Sequence, residues 1–279
     1  MATVSSEPIV ITAAVQKGGV GKTLLSTHVA AFLVSAMKAK VLVVDMDMSG
    51  VASRRLLLHD SVIPDDVTSN VECLEQEKWV PATSRLGIDV IPSFSGHDIH
   101  QQLHDLFSQD KYKLRHNIKK QPYDYIIIDG YPLLDARLEG CLLASDYVVG
   151  VGEPSTDDVQ GFVDVWKRLK ELSEAGYETP SHLGYVFNKV RGKSPVAFRE
   201  LKKLVKSLGY LAFSNSVTQR DPIANACNES RLIWELAPGQ ARVASIELED
   251  VCEEILEKIG DNEDNNTYKH YTADLGGAA

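Results

Sequence analysis

Seven consecutive residues, Lys17-Gly18-Gly19-Val20-Gly21-Lys22-Thr23, bring glycines, two lysines and a hydroxyl together in a pattern suited to phosphate chemistry. Glycines let the backbone turn tightly enough for successive N–H groups to converge on anionic oxygens at a helix N-terminus. At this spacing Lys22 reaches the β- and γ-phosphates of a nucleotide, and the Thr23 hydroxyl is placed to ligate Mg²⁺. The ordinary phosphate loop asks for glycine where this chain has Gln16, and Lys17 adds a second positive charge. The bland alternative is a chance glycine-rich turn; a strand before it and a helix after it argue against that. A second group of candidates is acidic. Asp45 and Asp47 close an apolar run, and at i and i+2 they leave a strand on the same side. They are either working carboxylates or a solvated pair at a strand end.

The elements that must position these residues are legible as apolar runs. Ile9 to Val15, Lys40 to Asp45, Ile88 to Pro92, Tyr125 to Asp129, Tyr147 to Val151, Leu183 to Asn188 and Ala212 to Val217 read as strands. Most are continuous in Val and Ile instead of alternating, which suits strands covered on both faces. Between them Val159, Phe162, Val163, Trp166, Leu169 and Leu172 keep the three-and-four spacing of a helix face, with Ser155 or Thr156 as cap. Strand and helix alternate along the chain, so the expected class is α/β, with a mainly parallel twisted sheet flanked by helices. No repeat or Gly/Ser linker divides it. One domain over residues 1–260 is expected, followed by a structureless Asn- and Asp-rich tail over 261–279.

KGGVGKT looks like the deviant Walker A loop of the ParA/MinD family of ATPases, and the resemblance runs over nearly the whole chain. It implies a P-loop NTPase fold, ATP and Mg²⁺ as ligands, and ATP hydrolysis. It implies that Gly18, Gly19, Val20, Gly21, Lys22 and Thr23 cradle the phosphates, and that Lys17 reaches across a homodimer to the partner's ATP. Val41 to Asp47 resembles the family's next strand with its DxD ending, which puts Asp45 near the metal and has Asp47 position the attacking water. Tyr123 to Asp129 resembles the Walker B strand, making Asp129 a metal-holding residue. Phe187-Asn188 resembles the strand end whose Asn contacts adenine, and Gln219-Arg220-Asp221-Pro222 resembles the loop bordering the base. Two segments depart from the family pattern. Gly130-Tyr131-Pro132 stands where Thr or Cys and two prolines are usual, and Met48-Ser49-Gly50 stands where Pro-Gln-Gly is common.

Features outside these motifs select among the family's branches. Ile246 to Ile259 is rich in Glu and Asp, unlike a basic membrane-targeting helix, and no apolar run approaches a membrane span. Cys73, Cys141, Cys227 and Cys252 form no CxxC, which excludes zinc-ribbon, dithiol and cluster-binding readings. Eight residues precede the first strand, too few for an N-terminal DNA-binding domain. The short, type Ib-like partition ATPase remains: cytoplasmic, nucleoid-associated in its ATP state, and stimulated by a ParB-like or other cargo-adaptor protein. Charge supports a non-specific DNA partner. The chain totals −10, yet from Leu183 to Arg220 eight basic residues face Glu200 alone, a local net of +7. Arg191, Lys193 and Arg220 are the expected contacts, because they fall at loop positions and not along a helix packed on the sheet. The alternatives are a metabolic ATP-dependent ligase or kinase of the same fold, against which Lys17 argues, and a nucleotide-gated scaffold with negligible turnover. His97, His100 and His104 share a helical face but show no fourth ligand, and a solvated polar face is the simpler reading.

Overall fold

The computed structural model describes residues 7–58, 60–94, 97–191, 195–236 and 238–265. The chain opens with β1 (Ile9–Ala13), α1 (Lys22–Met37), β2 (Val41–Asp45), α2 (Val51–Leu56) and α3 (Glu72–Glu75). It continues through β3 (Ala82–Thr83), β4 (Asp89–Ile91), α4 (His97–Gln109), α5 (Lys113–Ile118), β5 (Tyr125–Asp129) and α6 (Ala136–Ala144). The second half comprises β6 (Tyr147–Gly152), α7 (Thr156–Glu174), β7 (Ser181–Val190), α8 (Pro195–Leu208), β8 (Ala212–Thr218), α9 (Asp221–Asn228) and α10 (Pro238–Asn265). The strands form one sheet in the order β3-β4-β2-β5-β1-β6-β7-β8, parallel throughout except for the β3–β4 pair at one edge.

The continuous Val/Ile runs take the central places, and β2 and β6 are buried at every position. One face packs on α1 and α10, through Leu25, Val29 and Leu33 and through Leu248, Val251 and Ile255. Leu103, Phe107, Leu114 and Cys141, from α4, α5 and α6, cover the opposite face. On α7, Phe162 and Val159 join Tyr185 and Phe187 of β7, while Val163 and Trp166 are partly buried beside them. Ser155 caps that helix by accepting from the Asp158 N–H at 3.2 Å.

The registers place the chemistry. Ala13 and Asp45 both lie level with Asp129, so β1, β2 and β5 end together. Parallel sheets of this kind bind ligands outside the carboxyl ends of their strands. The two-residue β3 has no counterpart among the expected strands, being too short to show a period. The helix α10 carries the described chain to Asn265, past the expected boundary at residue 260, and residues 266–279 of the expected tail lie outside the described residues. No helix among the described residues is long and apolar enough to cross a membrane.

Candidate nucleotide site

The segment from Gly18 to Gly21 joins β1 to α1 at the carboxyl edge of the sheet. Gly19 has φ 75° and Gly21 φ 116°, backbone that L side chains rarely adopt. A Cβ on Gly21 would fall 2.1 Å from Asn188 Nδ2, so glycine is required there on both counts. No side chain caps α1, which leaves the N–H groups of its first turn without intrahelical partners. The loop, that open helix end, Asp47, Asn188 and the start of α9 surround a cleft of about 470 Å³. An uncapped sixteen-residue helix behind a glycine loop fits a bound polyphosphate. Lys22 is buried and donates to the Lys17 carbonyl at 2.6 Å, and burial lowers its pKa against the opposing pull of Asp129 and Asp47.

Three carboxylates gather below the loop. Asp129 is fully buried and accepts from Thr23 Oγ1 at 2.7 Å and from Ser26 Oγ at 3.1 Å. Asp45, in register beside it, accepts from Ser53 N and Ser53 Oγ at 2.8 and 2.5 Å and from Asp47 N at 3.2 Å. Burial pushes both carboxyls above the usual range, and the proximity of the two adds to the effect on Asp45. Asp47 is half-buried on the cleft wall and accepts from Ser49 N at 2.9 Å. Hard oxygen donors in this number suit Mg²⁺, which takes one or two protein carboxylates and completes its shell with phosphate and water. Among the described residues no group of three or more His, Cys, Asp or Glu side chains is arranged to hold a metal. Thr23, Asp45 and Asp129 are the residues that would hold it, and the ion would supply charge neutralisation at the terminal phosphates.

Asn188 braces the loop, donating from Nδ2 to the Val20 carbonyl at 2.8 Å. Lys189 does the same at Gly19 (2.9 Å) while paired with Glu153 at 2.8 Å. Neither brace was visible in the sequence, since both span about 170 residues. Arg220 lines the cleft, but Glu247 of α10 holds its guanidinium at 2.7 and 3.2 Å.

A family model described as an AAA domain matches residues 9–180. Protein IncC of Escherichia coli is 25% identical over 250 residues, spanning 88% of this chain and 68% of IncC. A ParA family protein of Chlamydia muridarum is 27% identical over 248 residues, 86% of this chain and 94% of that protein. The chain belongs to the ParA/MinD family. Among solved structures, the Cyanothece McdA–ATP complex matches with a TM-score of 0.71 at 20% identity, over 91% of this chain and 97% of that one. Cobyrinic acid a,c-diamide synthase from Mycobacterium smegmatis with bound ADP and magnesium matches at 0.71 and 18% identity, over 94% and 97%. These two likenesses are of fold.

Two residues of this ParA/MinD chain pair in a way that no local sequence pattern announces. Lys17, its side chain 46% exposed at the loop's outer edge, forms an ion pair with fully buried Asp158. The hydrogen bond to Asp158 raises the Lys17 pKa. Burial alone would raise Asp158, but bonds from Lys17, Ser155 Oγ and the Glu153 N–H outweigh it and hold the carboxyl below its usual range. The Ser155-x-x-Asp158 spacing was the available signal for that aspartate.

The three expected DNA contacts stand in different surroundings. Arg220 is occupied by Glu247 and so is not a free surface cation. Lys193 lies outside the described residues, and Arg191 is exposed just beyond β7. The helix after it, α8, was expected to pack on the sheet, yet only Leu208 of it is buried. Arg199, Lys202 and Lys206 are exposed along it, with Leu201 and Leu204 turned partly into the core. Of the His97, His100 and His104 face, the side chain of His97 lies outside the described residues.

Proposed function

We propose that the chain is an ATP-dependent dimeric switch of the partition type. ATP and Mg²⁺ bind between the phosphate loop and α9, two subunits close over two nucleotides, and the closed dimer holds DNA without sequence preference. Asp47 orients the attacking water. Hydrolysis, stimulated by a cargo-bound adaptor protein, reopens the dimer and releases the DNA, which positions plasmid, chromosome or other cargo.

The observation that carries this reading is the second lysine. One cation, Lys22, is buried against the loop where a bound phosphate would lie, whereas Lys17 stands half-exposed at the rim with Asp158 as its only ion-pair partner among the described residues. Held by Asp158 outside the lining of its own cleft, that charge is well placed to serve a second subunit. The relative named as a ParA family protein supports the same direction.

Multi-angle light scattering with ATP, with ADP and without nucleotide tests the proposal. A dimer is expected with ATP alone. Lys17→Ala should bind nucleotide nearly as tightly as the parent and stay monomeric; a normal ATP dimer of that variant would remove the cross-subunit role.

A further inference from the structure

Arg55 on α2 is a buried cation that the phosphate loop does not use. It is 4% exposed, yet it lines the cleft. Its Nη1 donates to Thr27 Oγ1 at 3.3 Å, its Nε has no partner, and it forms no ion pair among the described residues. Taking a guanidinium out of water without a counter-charge is strongly unfavourable, and such groups are normally paired. The other cations of the cleft are occupied: Lys22 and Lys189 on loop carbonyls, Arg220 on Glu247.

Position narrows what Arg55 awaits. Thr27 lies one turn beyond Thr23 along α1, on the same side of the helix, so the guanidinium sits beneath the first turn and not at the loop's tip. Toward α9 the cleft continues along Ile223, Ala224 and Cys227, which offer no negative charge. Arginine only donates, so its partner must be an acceptor, and the unpaired charge asks for an anionic one.

We propose that Arg55 is a nucleotide-binding residue whose guanidinium takes an oxygen of the α-phosphate, the phosphate nearest the nucleoside. The inference rests on the nucleotide reading of the cleft. It gives Arg55 a partner only in the liganded protein, and it adds to the loop an interaction common to ATP and ADP.

The test combines thermal melts without nucleotide and fluorescence titration with mant-ADP and mant-ATP, on the parent, Arg55→Met and Arg55→Lys. Methionine keeps an unbranched stem of similar reach and removes the charge. It is expected to raise the melting temperature of the nucleotide-free protein, because an unpaired buried charge is gone, and to weaken ADP and ATP alike by about ten- to a hundredfold. Lysine should fall between. The parent should also discriminate the Rp and Sp isomers of ADPαS, which differ only at the α-phosphate, and Arg55→Met should lose that discrimination. If Arg55→Met melts lower and binds ADP as the parent does, Arg55 is a packing brace on Thr27 and the proposal fails. Weakened binding with isomer discrimination intact overturns the α-phosphate assignment. A parent that binds no ADP overturns the nucleotide reading and this inference together, whereas parent-like affinity in Arg55→Met overturns this inference alone.

Discussion

At the scale of single residues, the proposed site separates buried carboxylates that are held in place from one that faces the cleft. Asp45 and Asp129 are buried, and each is fixed by two or more donors, so neither is free to move toward a reacting atom. Asp47 is two residues beyond Asp45, less buried, and exposed to the cleft. A carboxylate in that setting can accept a hydrogen bond from water beside the terminal phosphate. Asp47→Ala is therefore expected to bind ATP and dimerise while hydrolysing about 10²–10⁴-fold more slowly, the usual loss for a positioning or general-base group. Single-turnover hydrolysis measures this, and the parent rate in the variant would rule the role out. Asp129→Ala should behave differently: it removes the acceptor of both Thr23 and Ser26, so weakened nucleotide binding comes first.

At the scale of elements, the two segments that depart from the family pattern meet on one side chain. Arg137, in the first turn of α6, stacks its guanidinium carbon 3.7 Å from the Tyr131 ring centroid and brings Nη1 to 3.7 Å from Met48 Sδ. It is also ion-paired with the helix cap Asp135. Met48 follows Asp47, and Tyr131 lies two residues beyond Asp129, so one side chain ties the loop that carries Asp47 to the loop after β5. Arg137→Ala is expected to lower the hydrolysis rate about tenfold or more with ATP affinity nearly unchanged, because the interactions it removes bear on loop geometry and not on phosphate. Steady-state ATPase assays beside mant-ATP titration check it; equal losses in both would mean general loosening.

What the sequence made legible at this scale was contiguous. The phosphate loop carries its chemistry in seven neighbouring residues, and the central strands announce themselves by unbroken Val/Ile runs. The missing parts were pairings between distant segments: Lys17 with Asp158, Arg220 with Glu247, Arg55 with Thr27. The exposure of α8 was hidden for another reason. An apolar stripe shows that one helix face is covered, and says nothing of how deeply; Leu201, Leu204 and Leu208 make that stripe, and only Leu208 is fully buried while most other positions are exposed.

At the scale of the whole molecule, two charge effects follow from burial and its absence. His28 and His182 are buried, and burial pushes both down to about 3. Each is neutral in the fold but takes a proton near pH 6.5 when unfolded, so the unfolded state binds more protons below that pH. Stability should therefore fall as the medium is acidified from pH 6.5 toward 3, by about 2 kcal/mol per histidine at pH 5. His182 lies between Phe162 and Trp166, with ring centroids at 4.6 and 4.7 Å, so His182→Phe is expected to keep the aromatic packing and lose only the long bond from the Gly184 N–H at 3.4 Å. Urea melts from pH 7 to 5 should show the slope reduced by about one proton in that variant.

The second effect concerns DNA. Of the basic residues between Leu183 and Arg220, Lys189 and Arg220 are occupied by Glu153 and Glu247, and Lys203 is paired with Glu200. Arg199, Lys202 and Lys206 remain exposed at the three-and-four spacing of one helix face, with Arg191 exposed ahead of them. The proposed DNA surface thus takes in the outer face of α8, with Arg191 ahead of it. A closed dimer would present two such faces, which explains why the ATP state alone would bind. Replacing Arg199, Lys202 and Lys206 with Ala should weaken every duplex alike and lower the salt slope by about one for each phosphate no longer neutralised. Arg220→Ala should leave that slope unchanged and instead destabilise the fold by leaving the carboxylate of Glu247 without its cation. Fluorescence anisotropy with two unrelated duplexes across about 50–200 mM salt measures both, with light scattering to show that the ATP dimer survives. A triple variant that keeps the parent's slope would place the DNA surface elsewhere, and a changed slope in Arg220→Ala would return it to the loop.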